Sequence, residues 1–157
     1  MAKLKVQNTE ISIIKEGNQD YISLTDMANA KESESRAADI IKNWLRNRFT
    51  LEFIGTWEQI NNPNFKVVEF DHFKMQAGLP SFVISASEWI EKTNAIGIIV
   101  KKGKYGGTYA NKDIALVNAC RANRLNIVQY LLTSPELSSH CNVHTLSDAP
   151  IREACIS

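Results

Sequence analysis

An α+β domain of short helices and β-hairpins is the fold class this chain predicts, on three observations. Apolar residues recur at steps of three and four over two long stretches, which is the spacing of a packed helix face. Short β-branched or aromatic runs occur in pairs around polar, Gly-containing connections, which is the hairpin signal. The length of 157 residues, with 44% hydrophobic and 22% charged side chains, suits one globular domain or one domain plus a small appendage. That is enough chain to bury a core without disulfides or a structural metal.

The elements follow in order. Ile11–Ile14 predicts a strand, Glu16–Asp20 a polar connection, and Tyr21–Leu24 the partner strand. Thr25 is suited to N-cap a short helix over Asp26–Ala30, and the polar run Lys31–Ser35 reads as a loop. Ala37, Ile40, Ile41, Trp44 and Leu45 line one face of a helix running to about Arg48. Arg36, Lys42, Asn43, Arg46 and Asn47 then fall mostly off that face. A helix with one packed side and one basic, amide-bearing side can lie in a major groove, although an ordinary solvated face has the same pattern. Thr50 is suited to cap a second helix carrying Leu51, Ile54, Trp57 and Ile60, stopped by Asn61–Asn64 with its Pro63. Val67–Phe70 reads as extended, and Asp71 as the start of a short helical turn ending near Gly78. Ser85 with Glu88 three residues on is a capping box opening a helix through Thr93. Ile96–Val100, a basic turn at Lys101–Lys104, and Tyr105–Tyr109 form a hairpin with a lysine tip. A helix followed by such a hairpin is the winged-helix arrangement, in which wing lysines suit DNA phosphates.

Charge supports the same two places. The formal net charge is only +1, which excludes a polybasic protein. Yet residues 36–48 hold Arg36, Lys42, Arg46 and Arg48 against Asp39 alone, and residues 96–112 hold Lys101, Lys102, Lys104 and Lys112 with no acid. Local positive charge, not the total, makes a polyanion-binding face.

Several blocks in order resemble the KilA-N domain, over roughly residues 10 to 115. They are Tyr21–Ala28, Asn43–Arg48, Glu52–Glu58, Asn62–Phe65, Glu69–Asp71, Ser81–Val83, Trp89-Ile90, Thr93–Ile98, and Gly103-Lys104-Tyr105-Gly106-Gly107-Thr108-Tyr109-Ala110. Such domains occur in large DNA viruses, phages and bacteria, and are similar to the DNA-binding domain of certain fungal cell-cycle regulators. The resemblance implies a DNA-binding module, with Gly103–Tyr109 as the wing. On that reading Lys101, Lys102, Lys104 and Lys112 contact phosphates, and Asn43, Arg46, Asn47 and Arg48 are candidates for groove contacts. Tyr105 and Tyr109 are expected to be structural.

After residue 114 the sequence resembles part of an ankyrin array. Leu116–Cys120 recurs as Ile151–Cys155, Leu125–Leu132 suits the second helix, and Asp148–Ile151 is similar to the repeat's opening turn. The expected organisation is therefore a KilA-N domain over 1–114 and an ankyrin-like helical hairpin over 115–157. That tail would offer a surface for another protein or for self-association, and an ankyrin-type adaptor is the alternative function.

Other chemistry is not expected. The spacing Gly97 to Gly103 is one residue too long for a P-loop, and Tyr105 replaces its hydroxyl residue. His140-Cys141 with His144 lacks a paired Cys motif for zinc, and Glu69 with Asp71 and His72 sits in a family block better explained as a turn. No enzyme, cofactor or metal is therefore expected, and Trp44, Trp57 and Trp89 read as core. No apolar stretch is long enough for a membrane span, and the first residues lack an apolar signal core. Three cysteines, an odd count, fit a reducing compartment. The expected location is intracellular, in the cytoplasm, nucleoid or viral factory.

Overall fold

A computed structural model of the protein describes residues 2–6, 8–30, 36–104, 106–121, 128, 129 and 132. The elements are β1 (Ala2–Val6), β2 (Thr9–Glu16), β3 (Gln19–Ser23), α1 (Leu24–Asn29), α2 (Ala37–Leu45), α3 (Arg48–Asn61), α4 (Val67–Gln76), α5 (Ala86–Thr93), β4 (Ile98–Lys101), β5 (Gly107–Asn111) and α6 (Lys112–Arg121). The α+β class is as expected. The chain divides into two compact units, one with the described residues up to Ile22 and from Asn111 on, the other Ser23–Ala110. Among the described residues no helix is long and apolar enough to cross a membrane.

In the first unit, β1, β2 and β3 run antiparallel as a meander, with Leu4 opposite Ile11 and Ile14 opposite Tyr21. The strand signal at Ile11–Ile14 extends in both directions, and β1 is an additional strand that the hairpin reading did not include. Lys3 and Glu10 pair across β1 and β2 at 3.0 Å. Ile11, Ile13, Ile14, Tyr21 and Ile22 are buried, as are Ile114, Ala115, Leu116, Ala119 and Cys120 of α6. Asn111 joins this unit's pieces by its side chain. Its amide donates to the Gln19 carbonyl oxygen at 2.8 Å, and its own oxygen accepts the Asp113 N–H at 3.1 Å. Residues 133–157, and with them most of the ankyrin-like tail and the His140–His144 run, lie outside the described residues.

The second unit is built around an aromatic cluster. Trp89 of α5 has no exposed surface and meets Phe65, Phe70 and Phe73 at centroid distances of 5.9, 6.1 and 6.0 Å. Phe82 closes on Phe73 at 6.3 Å. Tilted and edge-on rings add to the area term that buries them. A residue without a side chain is needed where α3 crosses α4, because a Cβ at Gly55 would overlap the Phe70 ring. Trp57 is also core, while Trp44 is half-buried. The indole N–H groups of Trp44 and Trp89 are buried with no partner among the described residues, so packing outweighs the lost hydrogen bond there.

Several local expectations change. Ser23, not Thr25, caps α1, accepting the Asp26 N–H at 3.0 Å. The helix expected to reach Arg48 ends at Leu45, because Asn47 turns extended and its side chain accepts the Phe49 N–H at 2.9 Å, opening α3. Thr50 is therefore inside α3, with its hydroxyl buried and unpartnered among the described residues. Ile60, expected on the apolar face, is 77% exposed. Val67–Phe70 is helical, the first turn of α4, because packing Phe70 and Phe73 on one side overrides weak β propensity. The capping box at Ser85 forms as expected, with the Glu88 N–H 3.1 Å from its hydroxyl. In the hairpin the return strand is Gly107–Asn111, two residues later than expected.

Trp89→Ala should cost about 3–5 kcal/mol, the range for emptying a large aromatic site. Chemical denaturation followed by circular dichroism checks it. A loss under about 1 kcal/mol would show that the ring cluster is not the organising core.

Candidate nucleic-acid interface

The hairpin is the better defined of the two basic places. In β4 and β5, Ile98 faces Ala110, Ile99 faces Tyr109, Val100 faces Thr108 and Lys101 faces Gly107. Lys101, Lys102 and Lys104 thus sit together at the tip, all exposed. Tyr109 is buried as expected, and Tyr105 lies outside the described residues. The turn depends on glycine twice. Gly103 has φ +109, a conformation other residues adopt only with strain. Gly106 donates its N–H to the Gly103 carbonyl at 2.9 Å, and a Cβ on it would overlap the Lys101 carbonyl oxygen.

The base of the hairpin is attached to helices by side chains. Glu58 of α3 is only 1% exposed, and its carboxylate accepts the Ile96 N–H at 2.9 and 3.1 Å and the Gly97 N–H at 2.6 Å. Asn62 donates to the same carboxylate at 2.9 Å and to the Asn94 carbonyl at 2.8 Å. Asn94 ends α5 in the left-handed region, φ 59 and ψ 36, which asparagine tolerates. Thr25 of α1 accepts the Thr108 N–H at 3.0 Å. Neither Glu58 nor Thr25 was among the expected functional residues. Glu58 had a signal: it lies seven residues after Leu51, on the apolar stripe of its own helix, where a carboxylate must have buried donors.

The second basic place is the corner between α2 and α3. Ile41 and Leu45 are buried, while Lys42 and Asn43 face outward, so the amphipathic pattern is as expected. The groove candidates gather at this corner, but three of them have internal partners. The Arg46 guanidinium donates to the Pro80 carbonyl at 2.9 Å and reaches the Leu79 carbonyl at 3.5 Å, and its own carbonyl accepts the Gly78 N–H at 3.3 Å. It latches the corner to the loop after α4. Asn47 uses its side-chain oxygen as the α3 cap. Arg48 pairs with Glu52 at 3.2 Å, an exposed pair that a phosphate can displace at little cost. Asn43 remains an outward-facing amide on α2. Lys112 belongs to the other unit, as the first residue of α6, and is half-buried.

A groove of about 720 Å³ between α4 and α5 is lined by Glu69, His72, Gln76, Ser81, Glu88 and Lys92 among others. Its lysine pairs with Glu88 at 3.4 Å and its histidine lies 3.9 Å from Glu69, so it does not suit a polyanion. Among the described residues no three His, Cys, Asp or Glu side chains gather as a metal-binding group.

Gly106→Ala should disrupt the tip without touching a lysine. The expected result is displaced amide resonances confined to residues around 101–108 and a modest fall in melting temperature. A spectrum unchanged at these positions would show that the turn does not need glycine.

Residues 4–121, three quarters of the chain, match the KilA-N domain. No curated protein and no solved structure matches the chain. The matched stretch holds both basic places and the hairpin, and it runs through all of α6. The join expected between Ile114 and Ala115 thus falls inside one helix and inside the match, and the ankyrin-like reading of 115–157 rests on the sequence alone. KilA-N domains are a DNA-binding family, and this chain belongs to it.

Proposed function

We propose that the protein is a non-enzymatic DNA-binding module of winged-helix type, gripping the duplex mainly through its lysine-tipped hairpin. The observation that carries this reading is the gathering of Lys101, Lys102 and Lys104 on one exposed, glycine-shaped turn in a chain of a DNA-binding family. A narrow ribbon with cations at its tip follows the phosphate backbone or enters a groove edge. Asn43 and Arg48 serve as secondary contacts from the α2–α3 corner. Arg46 and Asn47 contribute by shaping that corner, which shifts weight from the helix to the wing. Lys112 adds a phosphate contact of its own. The adaptor reading of the tail has no observation beyond its sequence spacing in its favour.

Binding should be strongly salt-dependent. With about five phosphates neutralised, affinity falls several-hundred-fold between roughly 50 and 200 mM salt. Each wing lysine changed to alanine should lower the slope of log affinity on log salt by about 0.9. Reversing all three charges, K101E with K102E and K104E, should abolish retention in a gel shift on double-stranded probes. Retention that survives this change, or that ignores salt, sinks the reading. Incubation of DNA with the protein and magnesium should leave the DNA intact, and cleavage would overturn the non-enzymatic part.

A further inference from the structure

We propose that Glu58 and Thr25 are positioning residues for DNA binding, a two-point clamp that aims the wing. This rests on the wing reading above. Antiparallel pairing between β4 and β5 ties the two strands to each other, but it does not tie the ribbon to the helices. The base of the ribbon buries Ile98, Tyr109 and Ala110, and two side chains add directional bonds to it, one where the chain enters β4 and one on β5. Glu58 of α3 takes the N–H groups of Ile96 and Gly97, immediately before β4 begins. Thr25 of α1 takes the N–H of Thr108 in β5. The approach of Thr25 depends on its neighbour Gly107, since a Cβ there would come within 3.0 Å of the threonine hydroxyl.

Both anchors are remote from the strands in sequence, and both hold backbone groups rather than the lysine side chains. Glu58 is itself oriented by Asn62, which also holds the Asn94 carbonyl at the end of α5. The path of the chain into the hairpin is therefore set by α3 and α5 together. A wing held in one direction presents its charges without first being ordered, and loss of an anchor reduces the fraction of molecules aimed correctly. Apparent affinity then falls in proportion to that fraction, while the contacts made in the complex stay the same.

That gives the clamp a signature distinct from the lysines. Thr25→Val keeps shape and removes the acceptor; Glu58→Gln replaces one of two acceptor oxygens with a donor facing an N–H. Each should weaken duplex binding by about two- to tenfold, the equivalent of one to a few hydrogen bonds. The salt slope should stay at its unaltered value, and amide exchange at Thr108, or at Ile96 and Gly97, should speed up. Thr25→Ser keeps the hydroxyl and should restore binding. Measurements belong well below the melting temperature, and if Glu58→Gln fails to fold, Thr25→Val and Thr25→Ser decide. Unchanged affinity in a folded Thr25→Val protein overturns the clamp and leaves the wing reading standing. A slope that falls with the affinity also overturns it, because phosphate contacts would then have been lost. If the unaltered protein does not bind DNA at all, the wing reading fails and takes the clamp with it.

Discussion

A buried carboxylate with no cation beside it among the described residues organises the larger unit. Burying such a group without partners is expensive, and the cost is met here by N–H donors. Ile96, Gly97 and Asn62 supply them, so the chain between α5 and β4 must pass where α3 can reach it. Asn62 extends the constraint to Asn94, whose left-handed backbone turns the chain out of α5, and the Asn94 side chain returns to the Asn64 carbonyl at 3.2 Å. The Thr93 carbonyl accepts the Lys66 N–H at 2.9 Å, so the start of α4 is tied to the same point. Hydrogen bonds to one carboxylate and one amide thus decide where three helices and a hairpin meet.

The aromatic cluster and the polar hub divide the work. Trp89 and the phenylalanines supply non-directional burial, which holds α4 and α5 together but tolerates sliding. The Glu58 and Asn62 contacts are directional and remove that freedom. The result is a hairpin with a buried base at Ile98, Tyr109 and Ala110 and exposed lysines at its turn. Three of the acidic side chains are placed away from the tip: Glu69 and Glu88 border the groove between α4 and α5, and Glu52 faces Arg48. A chain of nearly zero net charge can then present a cationic edge to a polyanion.

Much of the local structure is legible in the residues. The capping box at Ser85, the stripe through Ile41 and Leu45, and the turn around Gly103 all have causes within four residues of one another, and all form. The misreadings share a different cause. Thr25 looks like a cap, but its hydroxyl is taken by Thr108, a residue 83 positions away, and Ser23 caps instead. Val67–Phe70 has a β-branched start, yet Phe70 and Phe73 reach the core only when three residues apart on a helix. Arg46 and Asn47 look like a free polar face and are consumed at a corner, by carbonyls of residues 79 and 80 and by the next helix. Ile60 follows Trp57 at helical spacing but faces outward, because nine residues after Leu51 it lies on the opposite side of α3 from the buried Leu51 and Ile54.

By itself the sequence determined the class of fold, the two clusters of positive charge and the basic turn of the hairpin, since each follows from composition or short spacing, while the family was legible only through the resemblance of its motif blocks to KilA-N. Only the tertiary structure decided that Arg46 is taken up by the loop after α4 and that Glu58 and Thr25 bond to the hairpin. Those outcomes depend on partners 34 to 83 residues apart, and nothing in a local pattern specifies which distant N–H or carbonyl a side chain will meet. A polar group's role is set by the partner it has in the folded state, and that partner is a property of the packed chain.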